Sequence, residues 1–141
     1  MEIRDYDKQL RGHVIRREDR VPKAITEVDP SYCRLHFPRM SAPCTRLVLV
    51  EDILSAEVMA PYTPTAALLG TILTNDQVDY LLDKGIRDVV FCLDDDATDK
   101  ALKQARKHNL YLNSTAVQCN PDPKDMSWVQ LKELLERIEK V

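Results

Sequence analysis

The carboxylates best placed for chemistry in this sequence each follow a short apolar run. Glu51 directly follows Leu47-Val48-Leu49-Val50, and Asp94, Asp95 and Asp96 directly follow Val89-Val90-Phe91-Cys92-Leu93. Runs this short and this uniformly apolar read as parallel strands buried on both faces. In open parallel sheets, ligands bind beyond the carboxyl ends of the strands. Glu51 and the three aspartates therefore stand at one edge of the expected sheet. Carboxylates crowded there repel each other, and a hard divalent cation relieves the repulsion, so oxygen donors of this kind suit Mg²⁺, Mn²⁺ or Ca²⁺. Side chains alternate along a strand, which turns Asp95 away from Asp94 and Asp96. The expected metal ligands are thus Glu51, Asp94 and Asp96.

The elements that must position these acids alternate between strand and helix. Residues 47–50 form the first strand of the expected sheet, and a helix over 53–60 is stopped by Pro61. Residues 65–69 read as a strand running into Gly70. Thr74 and Gln77 have the spacing of a capping box, opening a helix to about residue 84 that Gly85 ends. A strand follows over 88–93, an amphipathic helix over 98–108, a strand over 111–117, and a Pro-rich loop over 120–125. Ser127 with Gln130 forms a second capping box, opening a last helix to about residue 140. Its stripe of Leu131, Leu134, Leu135 and Ile138, with Trp128, reads as packing on the sheet, and docking to a partner is the alternative. This alternation predicts an α/β fold with a parallel sheet covered by helices through right-handed crossovers. Residues 1–46, punctuated by Pro22, Pro30, Pro38 and Pro43, read as irregular, with short strands near Ile3 and over 13–15. The expected organisation is an N-terminal segment over 1–46, the α/β domain over 47–126, and a C-terminal helix over 127–141 packed on it.

Composition narrows the class. At 141 residues and 44% hydrophobic, the chain can bury a core of its own. No apolar run approaches a membrane span and no apolar leader opens the chain, so a cytoplasmic protein is the expectation. Cys33, Cys44, Cys92 and Cys119 form no C-x-x-C pair, which argues against a structural zinc site, and Cys92 reads as a core residue. Residues 1–50 carry ten Lys/Arg against seven Asp/Glu, and residues 51–141 carry ten against sixteen. A basic N-terminal lobe facing an acidic, metal-loaded site would produce this asymmetry; so would ordinary solvated surface. His13, His36 and His108 are isolated and read as structural or exposed.

A strand ending in Glu, an intervening βα unit, then a strand ending in Asp-x-Asp resembles the Toprim domain of bacterial-type DNA primases. It resembles more closely that of bacteriophage primase–helicases and related mitochondrial helicases. Upstream, Ile3-Arg4-Asp5, Gly12, Arg16 and Pro22-Lys23 are similar to the end of the primase N-terminal subdomain. There, the resemblance implies, Arg16 and Lys23 hold triphosphate or template, with the neighbouring Arg17 leaving the register open by one. Downstream, Asp122-Pro123-Lys124-Asp125 resembles a family loop near the metals, which makes Asp122 a further metal ligand; a simple turn explains the same residues. Departures from the family are Ser55 where many members have an acid, Lys124 where another acid stands, and Asp99 in place of Gly. Lys100, in the first turn of its helix, is a candidate phosphate contact.

The resemblance implies phosphoryl transfer with Mg²⁺ or Mn²⁺: Glu51 as general base beside the metal, Asp94 and Asp96 as ligands, single-stranded DNA and NTPs as substrates. The expected function is a primase-type nucleotidyltransferase in DNA replication, as a stand-alone phage protein. The alternatives are a Toprim nuclease using the same acids, and a non-catalytic replication accessory protein. There is no Gly-x-x-x-x-Gly-Lys-Ser/Thr loop and no zinc module in the sequence, so a helicase or other replication protein is the expected partner.

Overall fold

A computed structural model describes residues 1–17, 19, 24–93, 99, 100, 103, 107 and 111–141. Among these, the strands form two sheets. β1 (Glu2–Arg4), β2 (Leu10–Arg16) and β3 (Ala24–Val28) make an antiparallel sheet in chain order. β4 (Arg46–Val50), β5 (Thr65–Ala67), β6 (Asp88–Leu93) and β7 (Asn113–Gln118) make a wholly parallel sheet in the order β5-β4-β6-β7. The expected α/β architecture, with a parallel sheet between helices and a β-containing N-terminal segment, is the observed one. The segment is more regular than expected, because residues 24–28 form a third strand in it.

The parallel strands form where both faces of the chain can be buried. Leu47 and Leu49 of β4 and Val89, Phe91 and Leu93 of β6 point to one layer, packed against Leu35, Phe37 and the α2 residues Val78 and Leu81 (α2, Asn75–Asp83). The alternate residues Val48, Val50, Val90 and Cys92 point to the other layer. There they meet Ala56 and Met59 of α1 (Ile53–Met59) and Leu131, Leu134 and Ile138 of α3 (Trp128–Glu139). Period-two alternation thus feeds two cores from one continuous apolar run. Each fully buried Leu or Val contributes about 1.5–3 kcal/mol.

The helix boundaries have local causes. Asp52 caps α1 by accepting from the Ser55 amide at 2.8 Å, and Pro61 follows its end. Thr74 and Gln77 make the expected capping box at 3.2 and 2.9 Å, and Gly85, at φ +86°, turns the chain out of α2. Ser127 and Gln130 do the same for α3 at 3.3 and 2.9 Å. The Arg46 guanidinium donates to the carbonyls of Ile138 and Val141, at 2.8 and 3.0 Å, and so ties the end of α3 to the start of β4. Leu131, Leu134 and Ile138 of the α3 stripe belong to the sheet core, with Leu135 half-buried beside them, while Trp128 is exposed. The helix expected over 98–108 lies largely outside the described residues; Asp99, Lys100, Lys103 and Lys107 are helical and exposed.

The two sheets are joined by a small apolar cluster. Ile3, Tyr32 and Ile53 are buried against Val14, Val28, Leu69 and Tyr80. His36 adds a polar strut. Its Nδ1 accepts from the Arg4 amide at 3.1 Å, which leaves the proton on Nε2, 2.9 Å from Glu57 Oε1. The His36 backbone pairs with Ala67 beside β5.

Candidate functional site: a cleft between the two sheets

The sheet order puts a topological switch between β4 and β6. From β4 the chain crosses to β5 on one side, and from β6 to β7 on the other. Crossovers leaving in opposite directions open a crevice at the carboxyl ends of those two strands, the general ligand position in such sheets. Glu51 leaves β4 there. β6 ends at Leu93, and the acids expected to complete the site, Asp94 and Asp96, lie outside the described residues, as does Lys23.

The antiparallel sheet roofs this crevice, enclosing a cleft of about 260 Å³. Its floor is Glu51, Asp52, Ile53 and Leu54, where β4 passes into α1, with Leu69 and Gly70 after β5. Its roof is one face of the β2–β3 ladder. Val14 pairs with Thr26 and Arg16 with Ala24, and all four line the cleft. Arg16 therefore faces the site, while Arg17 is not among the described lining residues. Of the expected residues, the structure brings Glu51 and Arg16 together. Lys100 is exposed and is not among the lining residues; Asp122 sits at the margin, beside Lys124.

The glycines of the resemblance differ in their roles. A Cβ on Gly12 would lie 2.1 Å from the Glu27 carbonyl oxygen, so only glycine allows β2 and β3 to pair there. At Gly70 a Cβ would meet nothing within 4 Å among the described residues. Its backbone lines the cleft. Asp5, in the upstream motif, is a structural acid. It is buried, accepting from Arg11 Nε at 2.8 Å and the Gln9 amide at 2.9 Å.

Sequence reasoning missed the ion pair at the rim. Lys124 Nζ donates to Asp52 Oδ2 at 3.1 Å and lies 3.9 Å from Asp122 Oδ2. The Asp52 hydrogen bond, with the nearby charges of Asp52, Asp122 and Asp125, pushes the lysine above its ordinary pKa and keeps it cationic. Its backbone amide reaches the buried Ser55 hydroxyl at 3.4 Å. A lysine among acids in the loop at 120–125 was the available signal.

Of the three acids expected to hold a metal, Glu51 alone is among the described residues, and it stands at the switch point. Among the described residues alone, no three His, Cys, Asp or Glu side chains cluster as a metal site. No described helix is long and apolar enough to cross a membrane.

No family model matches the sequence, and no curated protein matches it. Among solved structures, the fold is similar to that of the Aquifex aeolicus primase, in a crystal structure of its zinc-binding and RNA polymerase domains. The TM-score is 0.74 at 24% identity, over 99% of this chain and 39% of that one. This chain has a primase-like fold.

Proposed function

We propose that this chain is a Toprim-type catalytic core that joins nucleotides by metal-dependent phosphoryl transfer, as a DNA primase does. The observation that carries the reading is the cleft itself. It sets Glu51, at the switch point of the parallel sheet, across from Arg16 on the antiparallel roof. An acid to manage metal and proton on one wall, with a guanidinium to hold phosphate on the other, is the division of labour that phosphoryl transfer requires. The similarity in fold to a primase supports the same assignment.

In this reading Glu51 accepts the proton of the attacking hydroxyl, and Glu51, Asp94 and Asp96 hold Mg²⁺ or Mn²⁺. When bound, the ion supplies neutralisation of the phosphate oxygens and orientation of the attacking group. Arg16 clamps phosphate, and Lys23 and Lys100 extend the basic path for triphosphate or single-stranded template. Phosphate contacts without base readout give weak, sequence-independent binding, with Kd on the order of 10⁻⁴–10⁻⁶ M. The chain therefore acts beside a helicase or another replication protein that brings the template, in a bacteriophage replication system.

The test is incubation of the purified chain with Mg²⁺ or Mn²⁺, labelled NTPs and single-stranded DNA. Nucleotide incorporation supports the proposal. Degradation of the DNA would instead make it a Toprim nuclease, and neither reaction despite DNA binding would make it an accessory protein.

A further inference from the structure

Tyr62 and Trp128 pack on each other and not on the core. Their ring centroids are 5.4 Å apart at an interplanar angle of 47°, yet the residues stay 54% and 56% exposed. Neither ring joins the buried clusters, although Leu131, Leu134 and Ile138 of the same helix α3 do. Large aromatic rings stabilise a fold by being buried, so folding alone does not account for this pair.

The pair stands beside the cleft. Trp128 follows Lys124 by four residues, and Lys124 lines the cleft while holding Asp52 at 3.1 Å. Four residues of chain reach at most roughly 14 Å. Leu54, a second lining residue, is exposed in the first turn of α1, the helix that leads to Tyr62. The patch is small: two rings with Val129, also exposed, next to Trp128. A stable protein interface engages about 20–30 residues a side, whereas two half-exposed rings match the size of a base or two. Lys132 lies one turn beyond Trp128, but Asp125 and Glu133 are as near in sequence. The patch therefore gains little from phosphate charge, and its attraction lies in the ring faces.

We propose that Tyr62 and Trp128 form a stacking platform for unpaired bases of a single-stranded nucleic acid whose backbone runs along the cleft. This rests on the reading of the cleft as a site of phosphoryl transfer given above. Every base has a π-face, so the platform tolerates any sequence, and stacking strengthens binding by about 5- to 150-fold per base. It releases no counterions, so its share does not change with salt, unlike that of a phosphate contact.

Trp128 is the one tryptophan of the chain, so its fluorescence reports the platform directly. The probes are oligo(dT) and an abasic strand of equal length, each end-labelled for anisotropy and titrated at low and at high salt. The expected result is quenching of Trp128 by oligo(dT) and none by the abasic strand. Trp128→Ala should weaken oligo(dT) binding by at least about fivefold, by the same factor at both salts, while Trp128→Phe, which keeps a ring, stays within about twofold of wild type. Tyr62→Ala should act in the same direction as Trp128→Ala, and it carries the test with the wild-type quenching should Trp128→Ala fail to fold. Equal quenching by both strands, or unchanged oligo(dT) affinity in both Ala variants, would overturn this proposal and leave the cleft reading standing. Trp128 emission that shifts with protein concentration alone would make the pair a contact between copies, and would overturn it too. Affinity lost in Trp128→Ala but unchanged in Arg16→Ala would sustain the stacking and overturn the part given to the cleft. No binding of either strand to the wild type would overturn both.

Discussion

Replacing Gly12 with Ala should break the roof of the cleft, and replacing Gly70 with Ala should leave the fold alone. A Cβ at residue 12 meets the Glu27 carbonyl oxygen at 2.1 Å and the Val28 Cα at 2.8 Å. Both obstacles are backbone atoms of the paired strand, so neither can swing aside as a side-chain tip would. Forced overpacking costs roughly 1–3 kcal/mol in a well-packed core. A clash this deep between two main chains belongs at or above the top of that range, so the expected loss is about 3 kcal/mol. Set against a total stability of about 5–15 kcal/mol, that is a large fraction. For a chain of this length it lowers Tm by roughly 10 °C. Relief requires β2 and β3 to separate near Gly12↔Val28, which disturbs the ladder holding Val14 opposite Thr26 and Arg16 opposite Ala24. Gly70 offers the control: its Cβ would meet nothing within 4 Å among the described residues, and its φ is not in the left-handed region. Its expected change is within about 0.5 kcal/mol, as for ordinary surface substitutions. The assay is urea unfolding of both variants beside wild type, with the midpoint compared at equal m. A Gly12→Ala protein within 0.5 kcal/mol of wild type, or a Gly70→Ala protein losing as much as Gly12→Ala, would refute the packing argument.

Other outcomes follow from the same structure. Asp94→Asn with Asp96→Asn should abolish Mn²⁺ binding by calorimetry, while leaving the metal-free protein as stable as wild type or more so, since repulsion is relieved; unchanged affinity would remove these acids from the site. Arg16→Ala with Lys23→Ala should weaken single-stranded DNA binding, spare Mn²⁺, and flatten the salt dependence by a slope of about 0.7 per lost phosphate contact. The His36 imidazole is held below its ordinary pKa of 6.5, chiefly by burial, with the Glu57 hydrogen bond pulling the other way and Lys8 and Arg4 adding to the depression. Below about pH 6.5 the unfolded chain takes up a proton that the folded one refuses, so this contribution declines as pH falls towards the depressed folded value. The stability gap between wild type and His36→Gln should therefore narrow from pH 7.5 to pH 5, and a constant gap would contradict the depressed pKa of the buried imidazole. Leu134→Ala, at a fully buried position, should cost about 2–5 kcal/mol in urea unfolding, and a chain ended at Asp125 should lose its cooperative transition along with α3.

What could be read from the residues alone followed from local rules. β4 and β6 announce themselves because both faces are buried, which compels an unbroken apolar run. The capping boxes at Thr74 and Ser127 and the turn at Gly85 are local hydrogen-bond and backbone signals, and they survive folding intact. β3 was missed because Ala24-Ile25-Thr26-Glu27-Val28 is half exposed and lies between Pro22 and Pro30, so its apolar pattern is broken. β5 stops at Ala67, two residues short of the expected strand, where Leu69 adopts a positive φ of 56°. Glu51 at the switch point and the cleft-facing Arg16 were legible from strand ends and motif. The Asp52–Lys124 pair spans 72 residues of sequence, and His36 finds its partners 32 and 21 residues away. Contacts of that range depend on which strands become neighbours, and no local pattern encodes it.

The most direct test of the central claim is template-directed incorporation of labelled NTPs by wild type, Glu51→Gln and Arg16→Ala, with fold and Mn²⁺ binding checked in parallel. The account predicts incorporation by wild type, loss of at least about a hundredfold in Glu51→Gln, the general-base contribution, and a raised KM for NTP in Arg16→Ala. Incorporation undiminished in a well-folded Glu51→Gln protein would contradict it.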